Sequence, residues 1–153
     1  MITARGFALA RRSTLAHAAP SDDIHVLLGD SMGEMFSYYA ACDVAFIGGS
    51  LLPLGGQNLI EALALGKPVL LGPHTFNFSL ISDDAIEAGA ALRVTDAADM
   101  LNQGLQLLHA SEERRQRGDK ASAFAAQHRG AAQRTVSLLR PLIDVSVSAP
   151  ASH

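Results

Sequence analysis

DVAFIGGSLLPLGGQNLIEALALGKPVLLGPHTFNF, residues 43–78, sets two short apolar runs, 44–48 and 69–71, on either side of a stretch with helical spacing at 59–65. Both runs end in glycine, and Gly66-Lys67-Pro68 halts the helical stretch just before the second run. Apolar runs without polar alternation are what strands of a parallel sheet look like when helices cover both faces. Strand, helix and strand in this order make a βαβ unit, so the class is α/β.

The same rhythm extends outward. An apolar run at 24–28 precedes a helical stretch at 34–41; downstream, 80–88 reads as helix, 91–94 as strand and 97–108 as helix. Gly89 ends one of these helices, and Asp96 is placed to cap the next. A long Ala- and Arg-rich helix is expected over 112–139, stopping at Pro141, and the small-residue tail from 144 to the end reads as frayed. There is no internal repeat or linker, and 153 residues with 48% hydrophobic content suit one domain.

The net charge of -3 is small and gives no reason to expect a nucleic-acid partner. Charge is nevertheless uneven: residues 112–140 hold seven Lys/Arg against three Asp/Glu. A solvated helix face explains that patch more simply than orientation on an anionic membrane. The single cysteine, Cys42, allows no internal disulfide, fits a reducing compartment and reads as a small buried hydrophobe. No apolar run approaches the roughly 20 residues of a membrane span, so the expected location is cytoplasmic.

Two stretches carry more glycine and polar residues at strand ends than packing requires: Gly29-Asp30-Ser31-Met32-Gly33-Glu34, and Gly48-Gly49-Ser50 through Gly55-Gly56-Gln57-Asn58-Leu59-Ile60-Glu61. Each follows a strand and opens a helix. In an open α/β sheet the crevice beyond the carboxyl ends of the strands is where ligands bind, and helix N-termini there offer N–H groups to phosphate. Asn58 occupies the N-cap position. Glu61, three residues on, reads equally as the return arm of a capping box or as a carboxylate accepting hydrogen bonds from both hydroxyls of a ribose. Glu34 is open between a first-turn charge and a ligand contact. Neither a Gly-x-Gly-x-x-Gly after a first strand nor a Gly-Lys-Ser/Thr phosphate loop occurs, which argues against dehydrogenase and P-loop chemistry.

A third stretch, Gly72-Pro73-His74-Thr75-Phe76-Asn77-Phe78, reads as a loop anchored by its two phenylalanines. His74 has no nucleophile or acid fixed beside it by spacing, so a substrate contact suits it better than acid–base catalysis. The other histidines are scattered, and no metal site is expected.

GDSMGEM, DVAFIGGSL, GGQNLIEALALGKPVLLGPHTFNF and the late GAAQRTVSLLRPLI together resemble, in order and spacing, the C-terminal part of the 3-deoxy-D-manno-octulosonic acid (Kdo) transferases. The resemblance runs from about Gly6 to about Ile143. It implies a Rossmann-like C-terminal domain of a two-domain, GT-B type glycosyltransferase, with residues 1–143 as a partial donor-nucleotide domain. It further implies inverting transfer of Kdo from CMP-Kdo to a lipid A precursor at the cytoplasmic face of the inner membrane, with no cofactor and no protein-bound metal. By motif, Met32, Gly33 and Glu34, and then Asn58, Leu59, Ile60 and Glu61, fall at CMP-contacting positions, with Gly49, Ser50, Gly56, Gln57 and His74 as further donor-site candidates. Glu61 thereby becomes the expected ribose clamp, a role compatible with capping the same turn.

The family usually has Gly-Gly-His-Asn-Pro where this chain has Gly55, Gly56, Gln57, Asn58 and Leu59. Gln57 keeps hydrogen-bonding capacity but carries no proton-driven charge, and losing the proline leaves the turn less preorganised. The family's N-terminal acceptor domain with its general base, its nucleotide-facing Arg-His pair and the opening strands of the donor domain have no counterpart here. The expectation is therefore an N-terminally truncated chain with no catalytic residue of its own, inactive alone, whose exposed sheet edge favours self-association. Competing readings are another GT-B donor domain using a sugar diphosphonucleotide, which PHTFNF and GDSMGEM oppose, and a nonenzymatic module binding nucleotide or protein.

Overall fold

The computed structural model describes residues 1–15, 18–128 and 136–140. Among these, strands β1 (Leu9–Arg11), β2 (Val26–Leu28), β3 (Ala45–Phe46), β4 (Val69–Leu71) and β5 (Ala91–Arg93) alternate with helices α1 (Met35–Ala41), α2 (Ile60–Ala64), α3 (Ser79–Glu87), α4 (Ala97–His109) and α5 (Ser111–His128). A further helical turn covers 136–140. From β2 onward, strand and helix alternate as the apolar runs predict.

Every ladder is parallel. One three-stranded sheet has the order β3-β4-β5, with Ala45 opposite Val69 and Val69 opposite Ala91. In β4 the side chains alternate between faces, as a period of two requires. Val69 and Leu71 join Ala45, Ile47, Leu63, Ala85 and Phe124 on the face covered by α2, α3 and α5. Leu70 joins Val94 and Leu107 on the face covered by α4, with Val44 and Phe46 packed alongside. All three β4 residues are only 1% exposed, which is why the run shows no polar alternation. Burying each such leucine or valine is worth roughly 1.5–3 kcal/mol.

Helix ends follow local chemistry. Asp96 caps α4, its carboxylate accepting from the N–H groups of Ala98 at 2.8 Å and Asp99 at 2.9 Å. The Arg114 guanidinium donates to the carbonyls of Leu107 and Leu108 and so closes the other end. Lys67 Nζ does the same for the end of α1, donating to the carbonyls of Ala40 and Cys42. On α5, Arg115 pairs with Glu112 and Asp119, and Arg117 with Glu113, all along the helix surface. The basic segment is thus a solvated face laced with intrahelical pairs over its described part.

Four sequence expectations need correction. Leu9–Arg11 forms a strand ahead of the first expected one and pairs in parallel with β2, Leu9 opposite Val26; three residues with one alanine among them carry too little apolar pattern to announce it. β1 and β2 form their own two-stranded sheet, so β2 and β3 share no ladder. Phe78 packs against the core, whereas Phe76 is 61% exposed and anchors nothing there. Cys42 is half-buried at the core's margin, and burial pushes its thiol pKa up. The expected end of the long helix at Pro141, its stretch through 129–135, and the frayed tail lie outside the described residues.

Candidate functional site

The carboxyl ends of β2 and β3 and the entry to α2 open together onto a cleft of about 650 Å³. Ser31, Met32 and Gly33 come from the loop after β2, Gly48 from the end of the β3 segment, and Gln57, Asn58 and Glu61 from the approach to α2. Met35, Tyr39, Phe46 and Ile47 add apolar wall. A hollow of about 730 Å³ at the α4–α5 junction is larger, but it sits away from the strand ends and their glycine loops.

The loop between β3 and α2 is folded by its own backbone and one buried hydroxyl. Gly56, at φ +73, turns so that its N–H reaches the Gly49 carbonyl at 3.1 Å. Ser50 is fully buried; its Oγ donates to the Ile47 carbonyl at 2.5 Å and accepts from the Gly72 N–H at 2.9 Å. The Ser50 carbonyl in turn accepts from the His74 N–H at 2.9 Å. Arg93 fastens the neighbouring loop, donating to the Gly72 carbonyl at 3.0 Å and pairing with Asp83. Gly49, Ser50, Gly56 and His74 thus shape and brace the loops, and none of them lines the cleft.

Asn58 does not make a full helix cap. Its Oδ1 accepts from the Ile60 N–H at 3.0 Å, a tight side-chain turn, and α2 begins at Ile60. With only five residues, α2 aligns few peptide dipoles, so the cleft's donors are loop N–H groups and side chains rather than a strong helix terminus. The Leu59 side chain is 0% exposed and belongs to the core, and Ile60 packs beside it, leaving these two only backbone to offer a ligand.

The two glutamates, equivalent on paper, are separated by their surroundings. Glu34 is held by the Ser31 hydroxyl, by Arg12 at 2.8 Å and by the Tyr38 hydroxyl, and it does not line the cleft. Those bonds, the Ser31 hydroxyl foremost, hold its carboxyl below the usual range. Glu61 lines the cleft and makes no hydrogen bond or ion pair among the described residues. The return arm of a capping box is therefore not formed. Nearby Tyr39, partly buried and beside the Glu61 charge, has its phenol pKa raised and stays a donor at neutral pH. Tyr39 was not legible as a site residue, though Met35 and Tyr39 stand four apart on one helical face. No group of three or more metal-ligating side chains occurs among the described residues.

The family model of glycosyl transferases group 1 matches residues 9–124. The 3-deoxy-D-manno-octulosonic acid transferase of Bordetella pertussis is 53% identical over 138 residues, covering 90% of this chain and 32% of the relative. That of Haemophilus influenzae is 41% identical over 142 residues, covering 92% and 33%. The chain thus spans about a third of the length of these curated relatives. The crystal structure of the C-terminal CMP-Kdo binding domain of WaaA from Acinetobacter baumannii superposes with a TM-score of 0.73 at 34% identity, covering 80% of this chain and 63% of that one. Parallel sheet, strand-end cleft and sequence agree: the chain belongs to the group 1 glycosyl transferases, with the Rossmann-like fold of their Kdo transferase donor domains.

Proposed function

We propose that the cleft bounded by β2, β3 and α2 is the nucleotide half-site of a Kdo transferase and takes the CMP of CMP-Kdo. The observation that carries this reading is Glu61: an ionisable carboxylate on the cleft wall with no partner among the described residues. Its two oxygens, which accept no hydrogen bond among the described residues, suit the two donating hydroxyls of a ribose. Met35, Tyr39 and Phe46 supply a wall suited to a flat base, and the amides of Gln57 and Asn58 supply polar contacts at the rim.

The reading assigns Met32 and Gly33 a main-chain role, because the Met32 side chain stands 97% exposed. Glu34, Leu59 and Ile60 contribute by position rather than by side-chain contact. CMP-Kdo enters as the donor substrate, and no cofactor or metal is assigned to the site. Acceptor chemistry, with a lipid A precursor at the cytoplasmic face of the inner membrane, is not assigned to any residue of this cleft, whose part in the reaction is to hold the donor. No described helix is long and apolar enough to cross a membrane.

Calorimetric titration of the chain with CMP tests the site. Glu61→Ala removes a charge-assisted pair worth roughly 1.5–3 kcal/mol, a tenfold to hundredfold loss of affinity. CMP binding of equal strength in the wild type and in Glu61→Ala overturns the assignment.

A further inference from the structure

Helix α1 carries two neighbouring tyrosines whose hydroxyls are treated differently. The Tyr38 hydroxyl is occupied by the Ser31 hydroxyl and, at 3.4 Å, by the Glu34 carboxylate. Tyr39 instead lines the cleft and packs against the main core, and its hydroxyl makes no hydrogen bond among the described residues. A half-buried phenol without an acceptor is uncommon, because tyrosine usually pairs its hydroxyl where its ring is covered. Glu61 lines the same cleft, and its carboxylate is likewise without a hydrogen bond. The Glu61 charge is felt at the Tyr39 hydroxyl, so the two groups are neighbours, yet they do not bond directly. A lone donor and a lone acceptor, near but not touching, suit a ligand group that accepts from one and donates to the other. A hydroxyl does both.

We propose that Tyr39 is a specificity-determining residue of the donor site: its hydroxyl donates to the ribose 2′-hydroxyl, which donates in turn to Glu61, so that the site selects a ribonucleotide over a 2′-deoxyribonucleotide. This deepens the donor-site reading above and rests on it. The 2′-hydroxyl is singled out by covalent structure. Its carbon is bonded to the one that carries the base, so it lies beside whatever faces the base, and the Tyr39 ring belongs to that wall. The 3′-hydroxyl, one carbon further on, is left to the second oxygen of Glu61.

Two features hold Tyr39 to this role. Its ring packs against the core and α1 packs against α2, which carries Glu61, so the reach of its hydroxyl is set by the fold. Burial and the Glu61 charge both raise its phenol pKa, so at neutral pH it faces the ligand as a donor. A nucleotide lacking the 2′-hydroxyl covers both groups and satisfies neither the phenol nor one carboxylate oxygen. Sites built to hydrogen-bond a hydroxyl reject analogues without it for that reason.

The test is calorimetric titration of the full chain with CMP, 2′-deoxy-CMP and 3′-deoxy-CMP, in the wild type, Tyr39→Phe and Glu61→Ala. The wild type should bind CMP at least about tenfold more tightly than 2′-deoxy-CMP. It should also bind 3′-deoxy-CMP more tightly than 2′-deoxy-CMP, because the 2′-hydroxyl has two protein partners and the 3′-hydroxyl one. Tyr39→Phe keeps the ring and removes the donor; it should weaken CMP about twofold to tenfold while leaving 2′-deoxy-CMP nearly unchanged. A role in packing alone would weaken both nucleotides alike, so an unchanged preference in Tyr39→Phe overturns the proposal. A wild type that binds 2′-deoxy-CMP as well as CMP, or better than 3′-deoxy-CMP, overturns it without recourse to the variant. In either case, CMP binding that is lost in Glu61→Ala leaves the donor-site reading standing. A wild type that does not bind CMP overturns that reading and this inference with it.

Discussion

Gly118 in α5 shows how much one missing side chain decides. A Cβ there would stand 2.5 Å from the Gly66 carbonyl, in the turn that ends α2, so the close approach of α5 to α2 requires glycine. Gly118→Ala should push the helices apart and cost about 1–3 kcal/mol, a fall in Tm of roughly 2–10 °C by differential scanning calorimetry. Gly104 in α4 is the control, since a Cβ there meets only Leu70 Cδ1 at an ordinary 3.7 Å. Gly104→Ala should leave Tm unchanged or raise it, because alanine favours helix by up to about 1 kcal/mol. The pair Glu34 and Glu61 makes the same point for function. Both open a helix after a glycine-bearing loop; the nearby Ser31 and Tyr38 hydroxyls together with Arg12, brought in from 22 residues back, occupy Glu34, whereas Glu61 meets no such partners and is left for a ligand.

At the scale of elements, what local chemistry controls was readable and what distant packing controls was not. The Asp96 cap, the stops at Gly66 and Gly89 and the strand at 69–71 depend on residues within a turn of one another, and all are found. Asp96→Ala should lower stability by about 0.5–2 kcal/mol in chemical denaturation, through loss of the two N–H partners at the start of α4. β1 was missed because its strand character comes from pairing with β2, 17 residues away in register, rather than from its own composition. Similarly, Asn58 and Glu61 have the spacing of a capping box, but α2 begins one residue later than that box needs, and the carboxylate is left to the cleft.

Across the whole molecule, stability is divided between a packed body and a lightly held margin. β1 and β2 contain no buried residue, and the loops at their ends are joined mainly by polar contacts: Asp30 accepts from the Ser13 N–H and hydroxyl, and Glu34 from Arg12. Both carboxyls lie below their ordinary pKa, Asp30 chiefly through the Ser13 backbone N–H and Glu34 chiefly through the Ser31 hydroxyl. A group with its folded pKa lowered stabilises the fold above its ordinary value and loses that contribution as pH falls through the lowered one. Stability of this margin should therefore hold from neutrality to about pH 4.5 and decline below about pH 4. Hydrogen exchange across that range should show the β1 and β2 amides, residues 9–11 and 26–28, opening first while the β4 amides stay protected, and Asp30→Asn with Glu34→Gln should flatten the response.

By itself the sequence determined the α/β class, most helix and strand positions, the two glycine-rich loops and the likeness to Kdo transferases, because each depends on periodicity, turn chemistry or a short motif. Only the tertiary structure decided that Glu61 rather than Glu34 faces the cleft, that Ser50 braces the loops from within, that Tyr39 joins the wall, and that the described strands form two separate sheets, β1-β2 and β3-β4-β5. Those outcomes turn on which side chains from distant segments arrive at the same place, and residues 10 to 30 positions apart carry no record of that in their local pattern.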